Sequence, residues 1–249
     1  MKAVILAAGY ATRLYPLTKN MPKGLLKVGG RTLLDLICGK LNAVSEIDEI
    51  LIVTNAKFFA QLSSWKERAP SRAPIRVLND GTTSNDTRLG AIGDLGLVIR
   101  EARVDADILM MASDNLFDQD LSAFAAFARS KKDSVCVAIY DIGDPMLASK
   151  KFGVIEADRS GRVTGMEEKP EHPKSSFIGM GVYFFPRRSI PLVAEYLGGK
   201  NAQDAPGHYV RWLFDRGTPI FSFLFSGMWY DIGDLHALEE ANKIFQTKK

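Results

Sequence analysis

The segment "KAVILAAGYATRLYPLTKNMPKGLLKVGG", residues 2–30, sets a short apolar run against a long stretch of glycines, a Thr12-Arg13 pair, Pro16, Pro22 and several lysines. The run has no polar alternation, so it reads as a strand buried on both faces. The stretch after it shows no hydrophobic period and is too long for a plain connection between two elements. Further along, residues 49–54 (EILIVT), 74–79 (PIRVLN), 107–112 (DILMMA) and 134–140 (SVCVAIY) repeat the pattern of the opening run. Between them, residues 33–43, 57–67, 88–102 and 121–129 carry apolar side chains at three- and four-residue spacing, as amphipathic helices do. Strand and helix alternating in this way predict a parallel sheet with right-handed crossovers.

The pattern changes after about residue 144. "FGVIEADRSGRVTGMEEKP" predicts a hairpin turning at residues 158–161, and "FIGMGVYFF" at 177–185 a further strand. Helices near 189–197 and 207–216, a strand at 218–225 and a last helix near 235–246, with Asp234 as its N-cap, complete the sequence. The expected architecture is α/β: a Rossmann-like, mostly parallel sheet flanked by helices, with a β-rich addition. No internal repeat, low-complexity segment or interdomain linker interrupts it.

Composition narrows the function. A chain of 249 residues with 46% hydrophobic residues has enough apolar surface for a full core. Its 32 basic and 29 acidic residues are spread evenly, so the net charge of +3 forms no basic block of the kind that binds nucleic acid. Cys38 and Cys136 lie in separate apolar segments and read as reduced core thiols of a cytoplasmic protein. The N-terminal apolar run is too short for a membrane span and lacks signal-peptide proportions. His172, His208 and His236 are scattered, without a catalytic arrangement.

In open parallel sheets, ligands bind beyond the carboxyl ends of the strands. Three stretches come directly after strands: the opening loop, "SDN" at 113–115 and "WYDIGD" at 229–234. In the opening loop, Gly9, Ala11 and Thr12 offer backbone N–H groups to phosphate oxygens. Arg13 adds a fork of donors and Lys23 a mobile point charge. The loop lacks both the Gly-Lys-Ser/Thr ending of a Walker loop and the third glycine of a dinucleotide fingerprint. On spacing alone, it is either a phosphate cradle or a solvated loop whose glycines only permit turns.

"LAAGYATRLYPLT...PKGLLKVGG" closely resembles the signature of the sugar-1-phosphate nucleotidylyltransferases, the NDP-sugar pyrophosphorylases of glucose-1-phosphate thymidylyl/uridylyltransferase type. That family usually shows Gly-x-Gly-Thr-Arg followed by Pro-Lys; here Ala11 stands for the second glycine and Pro22-Lys23 supplies the pair. "SDNLF" resembles its Asp-Asn metal segment, "EEKP" at 167–170 its sugar-phosphate segment, and "WYDIGD" its second metal aspartate. The resemblance implies the nucleotide-diphospho-sugar transferase fold over residues 1–249 as a single domain. In it, residues 1–143 would bind nucleotide, and residues 144–249 would bind the sugar phosphate and close the fold.

The implied reaction joins a nucleoside triphosphate to a sugar 1-phosphate, best matched by dTTP or UTP with glucose 1-phosphate, and releases pyrophosphate. The implied catalytic residues are Arg13 and Lys23, and the implied cofactor is Mg²⁺ on Asp114 and Asp231. Ala8, Gly9, Thr12 and Asp114 would contact the nucleotide together with Arg13 and Lys23. Gly153, Glu168, Lys169 and Gly179 would bind the sugar phosphate.

The base-reading region departs from the family. A Gln after the third strand is usual, but here the segment reads "LNDGTTSNDTRLGAIGDL", residues 78–95. Asn79, Gly81 and Asn85 are the expected contacts there, because amides offer paired donors and acceptors. Two alternatives stay open: a CTP-dependent enzyme acting on a phosphorylated alcohol or other sugar phosphate, and a non-catalytic nucleotide-sugar sensor. The expected partners are the two substrates, with no nucleic acid and no membrane. The resemblance allows a homo-oligomer, dimer or tetramer. An ending soon after the closing helix leads us to expect a single activity, without an appended acyltransferase domain.

Overall fold

The computed structural model describes residues 1–247. Four parallel strands form one half of the central sheet: β1 (Lys2–Leu6), β4 (Glu49–Thr54), β5 (Ile75–Asn79) and β6 (Ile108–Ala112). β1 pairs with both β4 and β6, and β4 pairs with β5. Alternate residues feed opposite cores, which is why these strands are apolar throughout. Ala3, Ile5, Ile50, Ile52, Leu109 and Met111 pack on one face with α1 (Leu33–Leu41), α2 (Phe59–Lys66) and α4 (Leu121–Ser130). Val4, Leu51, Val53, Ile108 and Met110 pack on the other with α3 (Gly90–Ala102), α5 (Ile190–Gly198) and α6 (Pro206–Asp215). The result is three layers, helix, sheet and helix, as the alternation predicts.

The remaining central strands are β8 (Val135–Asp141), β11 (Phe177–Phe185) and β12 (Ile220–Phe225). β11 lies antiparallel between β6 and β8, and β12 pairs parallel with β8. At its far end, β11 also meets the predicted hairpin, β9 (Gly153–Ala157) and β10 (Val163–Glu168), through Ile178 and Val154. The pairing of β11 with β8 shifts register between Gly179 and Tyr183, and Gly181 there has φ +74°. Only Val182–Phe185 pair with β6, so the strand splays away from the parallel half where its glycines lie. The opening faces the loop cluster.

Several boundaries move for local reasons. The helix expected from residue 57 begins at Phe59, because the Asn55 side chain accepts the Phe58 N–H in a preceding turn at 3.2 Å. The helix expected from residue 88 begins at Gly90, whose φ of +79° is not helical in its approach. Asp234 caps α7 (Leu235–Thr247), its Oδ1 accepting the Ala237 N–H at 2.9 Å.

The opening loop is less open than its sequence suggests. It contains two short 3-10 turns, Thr12–Leu14 and Lys23–Leu25, and the small hairpin β2 (Lys27–Val28) with β3 (Arg31–Thr32). Leu14, Leu26 and Val28 are buried in a third core with Leu238 and Ala241 of α7. The apolar residues of the loop have no helical or strand period because their partner is the other end of the chain.

Candidate active site

The carboxyl ends of β1, β4 and β6 lie side by side, since Leu6 is level with Val53 and Ala112. The opening loop is anchored over them: Thr54 Oγ1 donates to Ala7 O at 3.2 Å and Asn55 Nδ2 to Ala8 O at 2.8 Å. Ala11, in place of the usual glycine, still takes the left-handed conformation, with φ 47°. Thr18 Oγ1 holds that turn by donating to Ala11 O at 2.8 Å.

"SDN" leads directly from β6 into β7 (Asn115–Phe117), which pairs antiparallel with β13 (Trp229–Asp231). The register sets Asp231 opposite Asn115, and Ile232 N donates to Asp114 O at 3.0 Å. Two aspartates far apart in sequence therefore meet. Burial holds the Asp231 carboxyl above the ordinary carboxylate range, the Asp114 charge adds to this, and Lys23 and Arg13 oppose it. Lys23 Nζ lies 2.6 Å from Asp114 Oδ2. Asn115 Nδ2 donates to Asp114 Oδ1 at 3.0 Å, and Asn115 Oδ1 accepts from Trp229 Nε1 at 2.8 Å, which fixes the amide between the two strands.

Two cavities meet at this point. One, of ≈ 480 Å³, runs along the opening loop and includes Ala8, Gly9, Thr12, Lys23, Asn85 and Asp94. The other, of ≈ 290 Å³, fills the fork beside β11 and includes Gly153, Glu168, Lys169, Gly179, Trp229 and Asp231. Arg13, Ala112, Asp114 and Pro206 line both. A larger cavity, of ≈ 980 Å³, lies between α3 and α5 and contains none of the sequence-predicted residues.

In the smaller cavity, the Glu168 carboxyl is almost buried and is held above its usual range by desolvation, with Lys169 and His208 pulling the other way. Its Oε2 occupies space that a Cβ on Gly153 or Gly207 would need: the gaps would be 2.7 and 1.8 Å. Glycine at both positions is what lets the carboxyl sit there. Lys169 has φ 50°, a left-handed conformation costly for a residue with a side chain.

The structure thus brings together Ala8, Gly9, Thr12, Arg13, Lys23, Asn85 and Asp114 in one cavity, and Gly153, Glu168, Lys169, Gly179 and Asp231 in the next. Asn79 and Gly81 do not line either. Asn79 Oδ1 instead accepts the Gly81 N–H at 2.9 Å in an exposed turn, where Gly81 has φ +79°. Sequence reasoning missed Gly207 and Asp94. Asp94 left a signal, a charged residue among Ile92, Leu95 and Val98 on the buried side of α3. The three histidines line neither cavity.

Fold and site define an α/β protein with a nucleotide-sized cavity opening onto a second, smaller one at the carboxyl ends of its strands. The chain belongs to the Nucleotidyl transferase family, whose profile matches residues 2–248. It is 27% identical over 252 residues to the bifunctional protein GlmU of Methanocaldococcus jannaschii, covering 100% of this chain and 55% of that protein. It is 27% identical over 258 residues to a glucose-1-phosphate adenylyltransferase of Clostridium novyi, covering 97% of this chain and 66% of that one. The chain therefore spans between about half and two thirds of the length of these relatives. A crystal structure of UDP-glucose pyrophosphorylase complexed with UDP-glucose superposes with a TM-score of 0.84 at 20% identity, over 100% of this chain and 99% of that one. Among the described residues, no helix is long and apolar enough to cross a membrane.

Proposed function

We propose that this protein is a nucleotidylyltransferase that converts a nucleoside triphosphate and a sugar 1-phosphate, dTTP or UTP with glucose 1-phosphate, to an NDP-sugar and pyrophosphate. The observation that carries this reading is the junction of the two cavities at Arg13 and Asp114. A triphosphate along the opening loop and a phosphorylated sugar beside β11 would meet there. An oxygen of the sugar phosphate attacks the α-phosphorus; the new P–O bond forms as the bond to the β-phosphate breaks, and its electron pair leaves on pyrophosphate. The nucleophile is already an anion near neutral pH, so no general base is required, in keeping with two cavities that no histidine lines. Catalysis is positioning and charge neutralisation. Arg13 and Lys23 neutralise the triphosphate and the departing pyrophosphate.

Asp114 and Asp231 suit Mg²⁺, a hard cation that takes one or two carboxylates and completes its shell with phosphate oxygens and water. Two adjoining carboxyls with oxygen-only donors, one of them resisting ionisation beside the other, are what such a cation would relieve. Bound there, Mg²⁺ would supply positive charge to the phosphates. Residues 1–143 would contribute most of the nucleotide site and residues 144–249 the acceptor site, in a cytoplasmic enzyme that forms a dimer or tetramer. Both relatives named for a sugar or its nucleotide refer to glucose, which supports the acceptor, whereas the adenylyl relative leaves the base to this chain's own residues.

A pyrophosphate-release screen crossing UTP, dTTP, CTP, ATP and GTP with a panel of sugar and alcohol phosphates tests the reading. Release with UTP or dTTP and glucose 1-phosphate is the expected result. Release with CTP and an alcohol phosphate alone would replace it, and no release with any pair would favour the sensor. A second prediction concerns the glycine cradle. Gly207→Ala should displace the Glu168 carboxyl and raise the KM for the sugar phosphate about tenfold, a loss of roughly one good hydrogen bond to a charged group. The triphosphate KM should stay unchanged in the same steady-state assay. An unaltered acceptor KM would remove Glu168 from the acceptor site.

A further inference from the structure

Asp94 stands out among the buried polar groups. It is 6% exposed, and its Oδ1 is buried without a hydrogen-bond partner among the described residues, yet the residue lines the larger of the two adjoining cavities. Its polar neighbour is Asp80, at the end of β5, and the two carboxyls face each other within hydrogen-bonding reach. Desolvation holds the Asp94 carboxyl at about 7, with the Asp80 charge adding to it. Asp80 itself is fixed from behind: Thr82 N donates to its Oδ1 at 2.7 Å and Thr82 Oγ1 to its Oδ2 at 3.0 Å. Tyr10 OH, from the opening loop, lies 3.3 Å from Thr82 Oγ1. Two carboxyls this close share one proton, which satisfies the buried Asp94 oxygen on the Asp80 side and leaves the second Asp94 oxygen as an acceptor toward the cavity.

The position of the pair says what that acceptor would meet. Lys23 and Asp114 mark the phosphate end of the cavity, beyond β6. Asp80 comes directly after β5, and the strand order β6-β1-β4-β5 separates the two ends by three strand spacings, roughly 14 Å. A nucleotide with its phosphates at Lys23 would span that distance and bring its base to Asp94. We propose that Asp94, oriented by Asp80, is the base-selecting residue: one oxygen faces Asp80, and the other accepts an N–H from the Watson–Crick edge of the nucleobase. In the uracil or thymine of the substrate proposed above, on which this inference rests, that group is N3–H. Asn79, by contrast, is committed to its own turn, where its Oδ1 accepts the Gly81 N–H.

Calorimetric titration of UTP, dTTP, CTP, ATP and GTP with Mg²⁺ into the whole protein tests this without relying on turnover. Wild type should separate its best base from its worst by a wide margin. Asp94→Ala should shrink that ratio at least tenfold while still binding triphosphate. Asp94→Asn keeps an acceptor oxygen and can donate to Asp80, so it should hold the wild-type ratio within about threefold; it also reads the idea if the alanine variant fails to fold, because an Asn variant that loses the ratio contradicts it. An unchanged ratio in Asp94→Ala overturns the inference. A wild type that prefers an amino-bearing base, with selectivity still lost in Asp94→Ala, overturns the choice of uracil or thymine and upholds Asp94 as the reader. Absence of turnover with every substrate pair in the release screen overturns the proposed reaction alone.

Discussion

Lys23→Ala is expected to lower kcat for pyrophosphate release by about 10³-fold, the upper end of what one preorganised charge contributes to a transition state. The expectation rests on where the ammonium is held. Pro22 is extended, with ψ 143°, and starts the short turn that carries Lys23 into the cavity. Gly24, next to it, lies so close to α1 that a Cβ would come 2.9 Å from Leu34 Cγ, so the turn has little room to shift. The Lys23 side chain is 15% exposed, and its Nζ sits 2.6 Å from Asp114 Oδ2, at the boundary of the two cavities. A charge placed there acts on the triphosphate as negative charge moves toward the leaving pyrophosphate, so the loss should fall on kcat more than on the triphosphate KM. Lys19→Ala, which removes an exposed lysine of the same loop outside the cavity, should turn over as wild type does. A Lys23→Ala enzyme with wild-type kcat would reduce this residue to a structural partner of Asp114.

Lys23 is legible through the Pro22-Lys23 pair of the resemblance, since composition alone does not separate it from Lys19 of the same loop. The parallel strands are legible for a different reason. Their residues face a core on both sides, so local composition already contains the tertiary answer, as with Val4 in one core and Ala3 and Ile5 in the other. The features that were not legible depend on partners far away in the chain. Leu14 and Val28 look like loop residues until α7 covers them. β7 and β13 are three residues each, too short to carry a period, and become strands only by pairing with one another. Glu168 needs the absent Cβ of Gly207 on another element. Asn79 shows the reverse error: an amide suited to reading a base is also suited to a tight turn, and its nearest donor, the Gly81 N–H, is two residues away. Asp94 was visible as a charge on an apolar helix face, but its meaning required Asp80 and the cavity beside it.

"WYDIGD" offers two aspartates, and their substitution should separate cleanly. Asp231→Asn is expected to raise the Mg²⁺ concentration needed for half-maximal turnover at least tenfold and to lower kcat by about 10²-fold, the scale on which a single electrostatic partner acts in such sites. Asparagine preserves the volume but removes the charge that, with Asp114, would hold the cation. Calorimetric titration of Mg²⁺ should show the weakened binding independently of turnover. Since Asp231 is half-buried beside another carboxylate and resists ionisation there, the neutral variant should unfold at no lower temperature than wild type in the absence of metal, which separates lost function from lost fold. Asp234 lies three residues further on, exposed, and accepts the Ala237 N–H at the start of α7. Asparagine caps a helix about as well as aspartate. Asp234→Asn should therefore leave kcat, Mg²⁺ dependence and melting temperature close to wild type. If Asp231→Asn kept the wild-type Mg²⁺ affinity, the pairing of β7 with β13 would be a structural closure rather than the device that builds a metal site.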